Sequence, residues 1–77
     1  MQIGYVLYDP DTLKVLCLTK GKRAIELVDI KEKNSLERAL CLKDRTSIKD
    51  LYNRFKKNEL TSNLDIVNIA KLYKHCD

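Results

Sequence analysis

The feature that most constrains this chain is Asp9-Pro10-Asp11-Thr12, set between two runs rich in β-branched and aromatic residues, 3–8 and 13–19. Proline's fixed φ suits the second position of a type I turn, and aspartate caps the turn backbone. Two strand-like runs around a four-residue turn read as a β-hairpin. Both runs are apolar on both faces: Tyr5 and Leu7 against Val6 and Tyr8, then Leu16 and Leu18 against Val15 and Cys17. One strand of the pair is therefore central.

A two-stranded hairpin is marginal in water, so the rest of the chain must complete the sheet. Lys20-Gly21-Lys22-Arg23 reads as an exposed basic turn, and residues 24–30 as a third strand. Residues 29–35 form a polar loop. In 35–42, Leu36, Ala39 and Leu40 fall at helical spacing, yet Ala39-Leu40-Cys41-Leu42 also reads as a short buried strand. Both readings stay open.

The helix expected over 47–58 is the clearest element. Ser47 and Asp50 have capping-box spacing, which satisfies otherwise orphaned amides. Ile48, Leu51, Tyr52 and Phe55 form one apolar stripe at i, i+3, i+4, i+7. Asp50 and Arg54 are spaced for a favourable pair, and Lys56 and Lys57 suit the negative end of the helix dipole. Residues 64–73, with Ile66, Val67, Ile69, Leu72 and Tyr73, read as a final strand. The expected fold is α+β: a small antiparallel sheet of a β-hairpin plus a C-terminal strand, with residues 24–30 as a further strand. One amphipathic helix packs on one face, in a single domain over 1–77.

Size and composition narrow the function. A chain of 77 residues buries only about 60–65% of its unfolded surface and holds roughly 4–11 kcal/mol of stability. Strained or unpaired polar groups in an internal active site are hard to carry on that margin. The cysteines Cys17, Cys41 and Cys76 are odd in number and widely spaced, as expected of reduced, buried thiols rather than a disulfide framework. No run resembles a membrane span or a signal peptide, so a cytoplasmic protein with no membrane partner is expected. The net charge is +4. Between Lys43 and Lys57 lie Lys43, Arg45, Lys49, Arg54, Lys56 and Lys57, against Asp44 and Asp50 alone. Such an excess suits an acidic partner or nucleic acid, and equally an ordinary solvated helix face.

No catalytic, metal or cofactor site is expected. General acid–base chemistry needs titratable groups held together in a pocket, and the acids here are scattered, with Asp9 and Asp11 explained by their turn. His75 is the single histidine, and His75-Cys76 with two distant cysteines does not match zinc-ligand spacing. Gly4 and Gly21 do not make a phosphate-binding loop. Two binding surfaces remain. One is basic: Lys20, Lys22 and Arg23 in the loop with Lys49, Lys56 and Lys57 on the helix, beside Asn53, contacting nucleic acid or an acidic partner. Tyr5, Tyr8 and Tyr73, placed on strands, are candidate stacking platforms for single-stranded RNA. The other is an open sheet face and its edges, guarded by Lys14, Lys20 and Lys71, which can pair with a partner's strand or a second copy.

The hairpin 5–16, the short strand leading to a Ser-capped amphipathic helix, and the closing Leu64-Asp65-Ile66-Val67-Asn68-Ile69 together resemble the small accessory proteins of T4-like tailed bacteriophages. The resemblance is one of layout and covers most of the chain. It implies a non-catalytic host-interaction protein, an inhibitor or antitoxin-like factor that blocks a host enzyme, toxin or defence component. No residue-level motif matches, so no functional residue is carried over. Inhibitors of that kind are often acidic mimics of DNA, whereas this chain is basic. The expected function is therefore inhibition of a host or defence protein, by binding an acidic surface or an RNA-containing complex. The alternative is RNA binding.

Overall fold

The computed structural model describes residues 1–19 and 24–74. The hairpin forms as β1 (Tyr5–Asp9) and β2 (Lys14–Leu18), and β3 (Ile25–Asp29) pairs with β2. A helical turn α1 (Ser35–Arg38), the main helix α2 (Arg45–Phe55) and a 3₁₀ turn (Glu59–Thr61) follow. The chain returns through β4 (Asp65–Asn68) and a last helix α3 (Ile69–Tyr73). The sheet is four-stranded and antiparallel throughout, in the order β3-β2-β1-β4. This is the expected α+β class.

Asp9 builds the first turn: its Oδ1 accepts from the amides of Asp11 at 2.9 Å and Thr12 at 3.4 Å, and its carbonyl accepts from Leu13. The two arms then pair only at Tyr8↔Val15 and Asp9↔Lys14. Beyond that point residues 39–42 enter the gap. Leu40 N donates to Leu16 O at 3.0 Å, while Leu42 and Tyr5 exchange both amide bonds at 2.7 and 2.9 Å. This resolves the ambiguous stretch: one helical turn, then a short extended segment bridging Ala39 to Cys17 and Leu42 to Tyr5. Gly4 makes the crossing possible. Its φ is +135°, and a Cβ there would lie 2.8 Å from Leu42 C, closer still to Leu42 O.

Alternation along the strands divides the core in two. Val6, Val15, Cys17 and Val28 face one side, where Leu36 and Ala39 of the α1 segment and Ile69 and Leu72 of α3 cover them. Leu7 and Leu16 face the other side, under Ile48, Leu51, Tyr52 and Phe55 of α2. The single-helix, one-face expectation is thus corrected. An apolar row on each face needs a cover on each face, and the second cover comes from α1 and α3.

Two boundaries also move. α2 starts at Arg45 with Asp44 as its N-cap, an extended residue whose side chain accepts from Thr46 N at 3.4 Å. Ser47 lies inside the first turn and donates its hydroxyl to Asp44 Oδ2. Aspartate caps as well as serine does, and the earlier start adds intrahelical bonds. The strand expected over 64–73 stops at Asn68, whose side chain caps α3 by accepting from Ala70 N at 3.0 Å. Ile69, Leu72 and Tyr73 stand at i, i+3, i+4 and pack as a helix.

Candidate interaction surfaces

α2 lies over β1 and β4. Its apolar stripe faces the sheet, and its other sides carry Arg45, Lys49, Asn53, Arg54, Lys56 and Lys57, all exposed. Arg45, Lys49 and Lys56 follow i, i+4, i+11, which at about 100° per residue aligns them within roughly 40° beside the apolar face. Two rings lie under this row. The Arg45 guanidinium sits 5.8 Å from the centroid of Tyr5 and the Lys56 ammonium 5.7 Å from that of Tyr52. Both rings are half-buried against the α2 side of the core.

No carboxylate among the described residues pairs with the row. Among the described residues the ion pairs are Arg38 with Glu26 and the N-terminal ammonium with Glu37, both away from α2. The expected Asp50–Arg54 pair does not form. Of the six basic residues expected to share a surface, Lys49, Lys56 and Lys57 stand on or just beyond α2, with Lys57 turned about a quarter-circle from the row. Lys20, Lys22 and Arg23 lie outside the described residues. Arg45, Tyr5 and Tyr52 complete the surface. Arg45, part of the basic excess but not of the expected contact set, joins it because α2 begins two residues before the Ser47 start expected from the sequence. Tyr8 packs into the opposite core, and Tyr73 belongs to α3 rather than a strand, so neither offers a sheet platform.

The second surface is β3. Leu18 and Leu27 are half-buried and Ile25 is 37% exposed. These three share the α2 side of the sheet, on the flank away from β1 and β4. Of the expected guards, Lys14 is exposed on the inner strand β2 and Lys71 sits on α3, while Lys20 falls outside the described residues.

The ionisable side chains near the core serve structure. Cys17 is fully buried and donates its thiol to Ser35 O at 3.3 Å, and burial pushes it up to about 11. Burial also raises Cys41, whose thiol donates to Ile3 O. Tyr73 is raised chiefly by burial. Its hydroxyl accepts from Gln2 N at 3.0 Å and donates to Glu37 at 2.9 Å. Gln2 Nε2 in turn donates to the carbonyls of Leu36, Glu37 and Ala39, closing the end of α1. Among the described residues no group of three or more His, Cys, Asp or Glu side chains lies placed to hold a metal ion. No helix among them is long and apolar enough to cross a membrane. His75 and Cys76 lie outside the described residues. No family model, curated protein or solved structure matches the chain.

Proposed function

We propose that this chain is a non-catalytic binding protein that docks the basic row of α2 onto an acidic surface of a partner protein. The observation that carries this reading is the set of cations Arg45, Lys49 and Lys56, aligned on one helix with no carboxylate partner among the described residues. An uncompensated row raises the local concentration of an anionic partner and steers its approach. A chain built only for stability has little use for such a row, since like charges along one helix face repel. The layout resemblance to phage accessory proteins supports a partner in the host, a host enzyme or defence component, met in the cytoplasm and inhibited by occlusion.

The second reading is RNA binding, favoured by the rings of Tyr5 and Tyr52 beneath the same cations. Cations that track phosphates beside aromatic rings are the elements of single-strand recognition. One experiment separates the two. Tagged protein is purified from cells with and without nuclease, then analysed by mass spectrometry and nucleic-acid sequencing. A stoichiometric acidic protein that survives nuclease supports the first reading and is lost with Lys49→Glu. Co-purifying RNA, with affinity falling steeply with salt, replaces it by the second.

A further inference from the structure

We infer that β3 is a self-pairing edge: two copies of this chain join antiparallel along Ile25–Asp29, with Leu27 of each copy opposite Leu27 of the other. The ladder with β2 shows which groups are available. Thr19 N donates to Ala24 O at 2.8 Å and Ile30 N to Leu13 O at 3.0 Å. Residues 24, 26, 28 and 30 therefore bond inward, and by antiparallel alternation Ile25, Leu27 and Asp29 direct their amides outward. The side chains of Ile25 and Leu27, with neighbouring Leu18, make an incompletely covered apolar strip beside that edge. β3 contains neither lysine nor proline, the residues that ordinarily keep an edge from pairing. The opposite edge is different. β4 has four residues, and it ends in Asn68, which is already committed as the cap of α3.

Charge selects a second copy as the occupant and sets the register. Glu26 is paired with Arg38 of its own chain, and Asp29 accepts from Lys31 N while lying across from Lys14. The edge is thus locally compensated, whereas the α2 cations that lack an ion-pair partner among the described residues lie over β1 and β4. Two chains of net charge +4 can meet here without bringing those cations together. With Leu27 on the two-fold axis, Glu26 faces Val28 and Ile25 faces Asp29. A one-residue slip centred on Glu26 would set two carboxylates directly opposite, which is destabilising. The leucine-centred register also extends the apolar strip across the axis. Antiparallel edge pairing keeps both α2 helices on the same side of the joined sheet, so a dimer displays two basic rows together. That last consequence rests on the proposed acidic partner; the dimer does not.

The test is sedimentation equilibrium on nuclease-treated protein. The expected result is a species of twice 9.0 kDa with a micromolar dissociation constant. Leu27→Lys should raise that constant at least about tenfold with the circular dichroism spectrum unchanged. Leu27→Cys should form a covalent dimer under mild oxidation that the parent chain does not form. A hydrogen-bonded antiparallel pair sets the Cα atoms about 5.5 Å apart, within disulfide reach. Cross-linking of the folded cysteine variant carries the test even if the lysine variant fails to fold. A parent chain that stays monomeric well above micromolar concentration overturns the proposal. So does a dimer that Leu27→Lys leaves intact, or one lost on nuclease treatment. Lys49→Glu should abolish partner binding and leave dimerisation unchanged, so the two readings fail separately.

Discussion

The two faces of the sheet are covered by different means. On one, α2 spans eleven residues and is held by Ile48, Leu51, Tyr52 and Phe55 against Leu7, Leu16 and Leu64. On the other, α1 and α3 have four and five residues, too short to persist by their own propensity. Polar side chains tie that cover down. Gln2 closes α1, Ser35 donates to Ile30 O at 2.9 Å, Cys17 donates to Ser35 O, and Tyr73 links Gln2 to Glu37. Function resides more readily on the first face than on the second. Where an apolar stripe does most of the holding and polar ties sit at the helix ends, as with Asp44 and the Thr61 hydroxyl that donates to Phe55 O, the outward side chains between them are left to meet a partner. Where polar groups are consumed in holding the cover, few remain.

The largest effect is expected at the seam between the two regions. Gly4→Ala should cost about 2–5 kcal/mol, combining strain at positive φ with a clash against the Leu42 backbone. Urea unfolding measures it. Next is Ile48→Ala, fully buried under α2, at about 3 kcal/mol, by the same method. Gln2→Ala should cost about 2 kcal/mol, because two N–H groups shared among three carbonyls are lost. Its signature sharpens the comparison: amide exchange should speed up in residues 36–39 and not in α2. Equal loss of protection in both would mean the two covers are not held separately.

The comparison also has a pH signature. Cys17 is raised from 9.0 to about 11 in the fold. Above pH 9.0 the unfolded chain loses this proton while the folded chain keeps it. Stability contributed by the neutral thiol is therefore complete below pH 9.0 and lost as pH rises toward about 11. Tyr73 acts in the same direction. Cys17→Val should flatten that alkaline limb in melts recorded from pH 8 to 11. The smallest effect on stability belongs to the other cover. Lys49→Glu with Lys56→Glu should change it by no more than about 0.5 kcal/mol while removing partner binding. A large loss of stability would show that the row is structural.

Much of this was legible in residue patterns. The hairpin, the third strand and the α2 stripe follow from alternation, turn chemistry and 3.6-residue spacing, which short-range physics enforces. The misreadings have local causes. Asp44 and Ser47 are both good caps, and only the extended backbone at Asp44 chooses between them. Residues 64–73 carry β-branched residues that run into a helical spacing at Ile69, Leu72 and Tyr73, so two periods overlap. The basic residues were visible, but their alignment with Tyr5 requires the fold, since Tyr5 comes from β1.

The antiparallel α+β class, the amphipathic helix and its excess of positive charge are legible in the residue order, because each rests on patterns among residues close together in the chain. Three features required distant segments to come together: residues 39–42 fill the gap between the hairpin arms, both sheet faces are covered, and β3 is an edge strand with outward amides. Each depends on contacts between segments far apart in the chain. Hydrogen-bond demand in the splayed hairpin, rather than any local preference of residues 39–42, settles the placement of that segment.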